Sequence, residues 1–210
     1  VYSTPPALIV AACRPGAAPA SIHLGEDPAE SAFTRSADGP FAALLDRIGA
    51  PRPRPTGASP VGVLDALGVL GPGLVLVHGV HLDDDDRARI SVRRSPVCLC
   101  PRSNLHIGGV LPDVPALLAA GIRLALGTDS LASSPDLDVL GELPPLAVRY
   151  PGIPVDAWLA LATSSGAAAV GRPGYGRIAV GAAPGLVLLH VDDPRDLLDA
   201  PPPRTWMVRP

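Results

Sequence analysis

The alternation of short apolar strands with helical segments is the feature that most constrains how this chain can fold. Four runs have the length and apolar composition of strands, namely Ser21–Leu24, Leu74–His78, Val97–Cys100 and Ile122–Leu126. Strands that are apolar throughout are typical of a parallel sheet covered by helices on both faces. Helical segments lie between the runs, so the sequence predicts an α/β fold with a parallel sheet.

The predicted helices carry start and stop signals at their ends. The helix Pro60–Leu70 follows Ser59, a good N-cap residue, and the next, Asp83–Arg94, begins with acidic and ends with basic residues. Further helices are predicted at Phe41–Ile48, Pro112–Ala120, Asp136–Tyr150 and Val155–Val170. The spacing suits a (β/α)₈ barrel, of which only four strand–helix units are present.

The composition of the chain changes near its end. We expect residues 1–172 to form the barrel part and residues 173–210 to form part of a small β appendage, with a strand at Leu186–Val191. Tyr175–Val180 and Gly181–Gly185 are interpreted as the turn region before it. The Pro-rich residues Asp192–Pro210 are expected to be peripheral.

Composition excludes several classes of protein. Hydrophobic residues make up 47% of the 210 and charged residues 18%, a balance that supplies a core and excludes general disorder. A net charge of −3 with 3% aromatic residues argues against a nucleic-acid or anionic-membrane partner. Three cysteines make no disulfide framework, so a reducing, cytoplasmic location is expected. No apolar run approaches the roughly 18 residues of a membrane span.

Three polar residues stand where predicted strands end. His23 and His78 end two of the strands, and Asp129 follows a third. Because the carboxyl ends of parallel barrel strands form one face, these side chains should converge there. Imidazole and carboxylate groups suit a divalent metal that keeps one position open for water.

Glu26 lies three residues after His23, where it could act as a proton shuttle instead of a ligand. Singly, each residue is better explained as scaffold or as part of a turn; the combination favours a catalytic site. The other histidines are not expected to be catalytic. His81 is expected at a solvent-exposed helix start, His106 on a loop where it could contact substrate, and His190 in a structural role. Nucleophilic catalysis fits poorly, since no Gly-x-Ser-x-Gly motif is present.

At these residues the sequence resembles the amidohydrolase superfamily. The resemblance is strongest to the branch that includes cytosine deaminase, S-adenosylhomocysteine/methylthioadenosine deaminase, chlorohydrolases and aminofutalosine deaminase. The matching segments keep the family's order along nearly the whole chain. They are Ser21–Glu30 (SIHLGEDPAE, with a second Glu downstream of Glu26), Val77–Leu82 (VHGVHL), Val97–Asn104 (VCLCPRSN), Ala120–Ser130 (AGIRLALGTDS), Ala162–Gly171 (ATSSGAAAVG) and Gly176–Leu189.

The resemblance implies a role for each candidate residue. His23 matches the family's strand-five metal ligand, and Asp129 matches the strand-eight ligand that also takes a proton from the metal-activated water. Glu26 matches the carboxylate that protonates the substrate's ring nitrogen. His78 matches the strand-six histidine that orients the water or polarises the developing charge.

The resemblance also implies a cofactor and a pocket. Ser103 and Asn104 are expected to contact substrate together with His78. One divalent metal is expected, with zinc favoured by the ligand types and iron left open.

Two departures from the family pattern affect these expectations. The His-x-His pair of strand one is absent, as are strands one to four, so the chain is expected to be a C-terminal half, strands five to eight, that lacks its N-terminal barrel half. Leu99 stands where several relatives carry a histidine, so substrate detail is not transferred. A homo-oligomer is left open.

The sequence thus predicts a metal-dependent hydrolase of non-peptide C–N bonds with a small heterocyclic substrate. Deamination of a heterocyclic amine or of an adenine nucleoside derivative, including aminofutalosine, is the favoured reaction. Chlorohydrolase-type or other C–N hydrolysis at the same site is the first alternative. The second alternative is an inactive fragment that acts as a binding or assembly module.

Overall fold

A parallel four-stranded sheet forms the centre of the computed structural model, which describes residues 1–14, 18–182 and 185–208. The strands are Ala20–Leu24 (β1), Leu74–His78 (β2), Val97–Leu99 (β3), Leu124–Leu126 (β4), Leu186–Leu189 (β5) and Arg204–Val208 (β6). The helices are Pro6–Ala12 (α1), Ala29–Ser36 (α2), Pro40–Arg47 (α3), Pro60–Ala66 (α4), Asp84–Arg93 (α5), Pro101–Ile107 (α6), Val114–Ala119 (α7), Leu143–Arg149 (α8), Val155–Ala160 (α9) and Gly166–Ala169 (α10). Two 3₁₀ segments (Val139–Glu142, Pro194–Leu198) and a π-helical segment (Leu161–Ser165) complete the described elements.

The sheet has the order β1-β2-β3-β4, and every neighbouring pair is parallel. Strands that neighbour each other in sequence also neighbour each other in space, with helices in the crossovers, as in a barrel wall. The predicted α/β architecture with a parallel sheet is therefore confirmed.

One face of the sheet packs against helices to form the main core. Alternate strand residues contribute leucines and valines, and the helices α4, α5 and α7 cover them with their own aliphatic side chains. The buried set includes Leu24, Val61, Leu64, Leu74, Leu76, Ile90, Val97, Leu99, Val114, Leu117, Leu124 and Leu126. Across the part of the chain that is described, no helix is long and apolar enough to cross a membrane.

The acidic run at the start of α5 is explained in part by helix capping. Asp83 is the N-cap residue and accepts a hydrogen bond from the backbone N–H of Asp86, whose carboxylate returns to the Asp83 N–H. Ser59 caps α4 by accepting from the Gly62 N–H and donates its hydroxyl hydrogen to Asp86 at 2.5 Å. These contacts hold the N-terminal ends of α4 and α5 together.

The structure contains helices that the sequence patterns did not indicate. His106 lies on α6 and not on a loop, so that prediction was wrong. The N-cap residue of α6, Cys100, makes no side-chain cap hydrogen bond, and Pro101 begins the helix, so the usual capping signal is missing. The helices α1 and α2 were also not predicted.

The C-terminal residues that were expected to be peripheral are mostly exposed, but they form a strand and contribute one residue to the core. Residues Arg204–Val208 form β6, which pairs antiparallel with β5. Leu197 is 2% exposed and belongs to the main hydrophobic core. Arg204 forms an ion pair with Asp138, which joins the two-stranded ribbon to the segment before α8. Parts of the predicted Gly181–Gly185 turn, residues 183–184, and the last two residues lie outside the described residues.

Candidate active site

The first two strands bring two histidines together at their carboxyl ends. In the parallel register of β1 and β2, His23 lies opposite Val77, and Leu24 lies opposite His78. The centroids of the His23 and His78 rings are 4.9 Å apart and the rings are tilted by 48°. The His23 side chain is 55% exposed, whereas the His78 side chain is fully buried.

The backbone of His78 is unusual, and it determines where this side chain points. In a regular strand His78 would face the same way as Leu24 and Leu76, into the apolar layer under the helices. Instead His78 has a φ of 78°, in the left-handed region that residues other than glycine rarely adopt. This break in the alternation accompanies the close approach of the His78 and His23 rings.

Asp129 follows β4 and also has a left-handed φ, of 59°. The other two such non-glycine residues in the described ranges, Ala37 and Arg94, are ordinary left-handed caps at the ends of α2 and α5. His78 and Asp129 have no such capping role. Strained backbone of this kind is concentrated at functional sites.

Two serines orient the carboxylate of Asp129. Ser103, on α6, donates to Oδ2 of Asp129 at 2.7 Å, and Ser133, in the loop after β4, donates to the same oxygen at 2.9 Å. The other oxygen, Oδ1, lies 3.6 Å from Nε2 of His23. One face of Asp129 is therefore held by hydroxyl groups, and the other faces the histidine.

The site contains a donor set with metal-ligand geometry. His23, His78 and Asp129 each offer one ligand atom, and these atoms all lie within 4.8 Å of one another. Glu26 stands at the edge of this cluster, with Oε1 at 3.5 Å from Nε2 of His78. The structure thus gathers the four residues that the sequence singled out.

The side-chain amide of Asn104 contacts the far nitrogen of the His78 ring. Its Nδ2 lies 3.0 Å from Nδ1 of His78, and an amide nitrogen can only donate. A neutral His78 that accepts at Nδ1 carries its proton on Nε2, facing Glu26. Burial, together with the nearby His23, lowers the pKa of His78 to about 4, so the ring is neutral at pH 7.

The two carboxylates of the site have pKa values displaced in opposite directions. Burial, reinforced by the charge of Asp129, raises the pKa of Glu26. Burial also acts to raise the pKa of Asp129, but the hydrogen bonds from Ser103 and Ser133 outweigh it and lower that pKa. Such a divergence assigns proton donation to the raised group and anionic character to the lowered one.

A buried ion pair supports the helix that carries Ser103 and Asn104. Glu142 is fully buried and accepts from both the backbone N–H and the Nε of Arg102, at 2.9 and 2.7 Å. Arg102 also donates from Nη2 to a carboxylate oxygen of Asp136 at 2.8 Å. Burial raises the pKa of Glu142 although the Arg102 contacts oppose the shift.

The remaining predicted residues lie elsewhere. His81 precedes the N-cap of α5 and is partly buried, with its backbone N–H donating to the Gly25 carbonyl at 2.8 Å. His106 is exposed on α6, and the His190 ring contacts Thr205 across the β5–β6 ribbon at 3.0 Å. Sequence reasoning missed the part played by Ser133; its position four residues after Asp129 was the available signal.

Comparison with known proteins finds matches to one protein family and to solved structures of the same fold. A family model described as the amidohydrolase family matches residues 4–206. Aminodeoxyfutalosine deaminase of Deinococcus radiodurans is 36% identical over 162 residues, which cover 73% of this chain and 38% of that protein. The 5-methylthioadenosine/S-adenosylhomocysteine deaminase of Syntrophobacter fumaroxidans is 33% identical over 184 residues, which cover 84% of this chain and 38% of that protein.

Two solved structures have the same fold over most of the chain. An adenosine deaminase from Xanthomonas campestris with bound zinc superposes with a TM-score of 0.76 at 25% identity, covering 96% of this chain and 46% of that one. Atrazine chlorohydrolase from Arthrobacter aurescens, complexed with zinc, superposes with a TM-score of 0.72 at 21% identity, covering 92% of this chain and 43% of that one. The chain therefore spans less than half the length of each of these four proteins.

Proposed function

Because this chain belongs to the amidohydrolase family, we propose that it forms part of a metal-dependent hydrolase that deaminates a heterocyclic amine. An adenine nucleoside derivative is the favoured substrate class, since the two curated relatives described above are named as deaminases of such compounds. The observation that carries the proposal is the convergence of His23, Glu26, His78 and Asp129 at the carboxyl ends of β1, β2 and β4.

The residues present fit a divalent metal. The Nε2 of His23 and Oδ1 of Asp129 lie 3.6 Å apart, a separation that two ligands of a single ion can have. We assign these two residues as ligands; nitrogen and oxygen donors suit zinc, with iron as the alternative. A bound ion would supply Lewis acidity toward the attacking water.

The other residues have roles that follow from their protonation states. Burial raises the pKa of Glu26, so this carboxyl group is the one suited to donate a proton to a ring nitrogen of the substrate. The Nε2–H of His78 can donate to the attacking water or to the developing negative charge. Asp129, kept anionic by Ser103 and Ser133, can accept the proton of that water.

Within this proposal β1–β4 correspond to strands five to eight of a (β/α)₈ barrel. Residues 1–172 would then be the barrel part and residues 173–210 part of a small β appendage. The remaining barrel strands and the additional metal ligands of the family would come from outside the 210 residues. Ser103 contacts Asp129, and Asn104 contacts His78. We therefore propose that these two residues orient the catalytic side chains of the pocket.

The experiment is a substrate comparison on the purified full-length protein. Ammonia release is measured from adenine nucleosides, including 5′-thio derivatives, and chloride release from chloro-triazines, with and without chelation confirmed by metal analysis. We expect ammonia release that disappears in Asp129→Ala and after metal removal. Chloride release alone would indicate a chlorohydrolase, and a metal-free protein without either product would indicate a binding module. Ammonia release that persists in Asp129→Ala would overturn the proposal.

A further inference from the structure

A buried carboxylate outside the donor set lies beneath the loop that carries Glu26. Glu30, in the first turn of α2, is 1% exposed. Its Oε2 accepts from the Gly25 N–H at 2.9 Å, and its Oε1 accepts from the N–H groups of Glu26 and Asp27 at 2.8 and 3.3 Å. Three consecutive backbone donors are thus satisfied by one side chain.

The loop needs such an acceptor because it leaves the sheet abruptly. Gly25 follows β1 with a φ of 64°, a left-handed conformation that turns the chain away from the strand direction. Its carbonyl oxygen accepts from the His81 N–H at 2.8 Å, which ties the loop to the segment after β2. On the other side the N–H groups of residues 25–27 have Glu30 as their acceptor, and its negative charge suits the start of a helix.

The Glu26 side chain depends on this backbone for its position. Its Oε1 is buried without a hydrogen-bond partner among the described residues, so no protein donor orients that oxygen. The position of the Glu26 backbone therefore limits how closely Oε1 can approach Nε2 of His78, which lies 3.5 Å away. The hydrogen bond from the Glu26 N–H to Oε1 of Glu30 holds this backbone directly.

We infer that Glu30 is a positioning residue: its carboxylate holds the loop of residues 25–27 so that the Glu26 carboxyl group faces the site. The inference deepens the proposed function and rests on it for the role of Glu26. A carboxylate can accept all three hydrogen bonds, whereas an amide would turn an NH₂ group toward one of the N–H donors. Both side-chain oxygens of Glu30, and not only its shape, are therefore required as acceptors.

The first test measures the loop without reference to activity. Amide hydrogen exchange of residues 25–27 is followed in the full-length protein and in Glu30→Gln. We expect protected amides in the wild type and exchange at least about tenfold faster in the variant, because one of the two acceptor oxygens is replaced by an NH₂ group that faces an N–H donor. Asp27→Asn is the matched control, since it removes one negative charge from the same loop but keeps an oxygen for the Ala29 N–H. Unprotected amides in the wild type would overturn the inference even if Glu30→Gln did not fold.

The second test separates positioning from metal binding. In Glu30→Gln we expect kcat for ammonia release to fall about tenfold or more, with KM changed less than about threefold and metal content unchanged. Glu30→Asp keeps the charge on a shorter side chain and should give an intermediate kcat. A folded Glu30→Gln with the wild-type kcat would refute the positioning role. A wild type that releases no ammonia would refute the proposed function instead, and the exchange result would still decide whether Glu30 holds the loop.

Discussion

The Nε2 atom of His78 lies 3.5 Å from Oε1 of Glu26, and within the described ranges neither buried atom has a hydrogen-bond partner. Leaving one buried polar atom unpaired costs about 1–3 kcal/mol. Each of the two atoms therefore keeps a hydrogen-bonding capacity that no described protein group uses. The arrangement matches the proposed chemistry, in which His78 and Glu26 each act on the reacting atoms.

Removing the carboxylate of Asp129 should release the metal. In Asp129→Asn the two serines still have an oxygen to bond, so the fold is retained, but the anionic ligand beside His23 is lost. We expect metal affinity in the full-length protein to fall about 100-fold or more, measured by competition with a chromogenic chelator. Asp192→Asn, at a site remote in sequence, is the control and should retain the metal. Equal affinity in Asp129→Asn would show that Asp129 is not a ligand.

Exchanging Asn104 for aspartate should reverse the tautomer of His78. An aspartate can only accept, so it would draw the ring proton to Nδ1 and leave Nε2 without one. We expect kcat/KM to fall about 10–100-fold, with the ring-nitrogen NMR shifts of His78 reporting the tautomer. Leu105→Ala, on the same helix but exposed, should have little effect. An unchanged NMR spectrum would contradict the assignment of the Asn104 contact.

Stability of the metal-free protein should depend on pH through His78. Its pKa is about 4 in the folded state against 6.5 as the ordinary value, so the unfolded chain binds the extra proton first as pH falls. The stabilising contribution is therefore complete above pH 6.5 and is lost progressively toward pH 4. Between pH 7 and pH 5 we expect the wild type to lose about 2 kcal/mol more unfolding free energy than His78→Asn. Parallel pH profiles from urea unfolding would contradict this.

Adding a methyl group at Gly141 should disturb the Arg102–Glu142 pair. A Cβ there would lie 2.7 Å from Nη1 and 2.9 Å from Cζ of Arg102, and hydrogen bonds to Glu142 and Asp136 prevent the guanidinium from moving freely. We expect Gly141→Ala to lower the free energy of unfolding by about 1–3 kcal/mol. Gly152→Ala is the control: its Cβ would meet no atom within 4 Å, so urea unfolding should change by less than about 0.5 kcal/mol. Equal urea-unfolding midpoints for the two variants would show that the Arg102–Glu142 pair accommodates the added methyl group.

Hydrophobic pattern predicted the four strands of the sheet because apolar runs are local properties. Three of the predicted runs end where the strands end, at Leu24, His78 and Leu126, whereas the run Val97–Cys100 is one residue longer than β3. Parallel strands necessarily bring their carboxyl ends to one edge. Helix α6 and strand β6 were missed for local reasons as well. The start of α6 lacks a capping side chain, and β6 follows a run of prolines.

The contacts that support the site could not be predicted from the sequence because they join residues far apart in the chain. The bond from Ser103 to Asp129 spans 26 positions and the pair of Arg102 with Glu142 spans 40, and no pattern of single residues specifies such partners.

By itself, the sequence determined that histidines and carboxylates lie at or just after the carboxyl ends of strands in one parallel sheet, and so which chemistry could arise at that edge. Only the tertiary structure decided how the groups face one another. The left-handed backbone of His78 takes its ring out of the regular alternation, and the carboxylate of Glu30 holds the loop that carries Glu26. Both depend on packing and hydrogen bonds from distant segments, which stabilise backbone conformations that local preference alone disfavours.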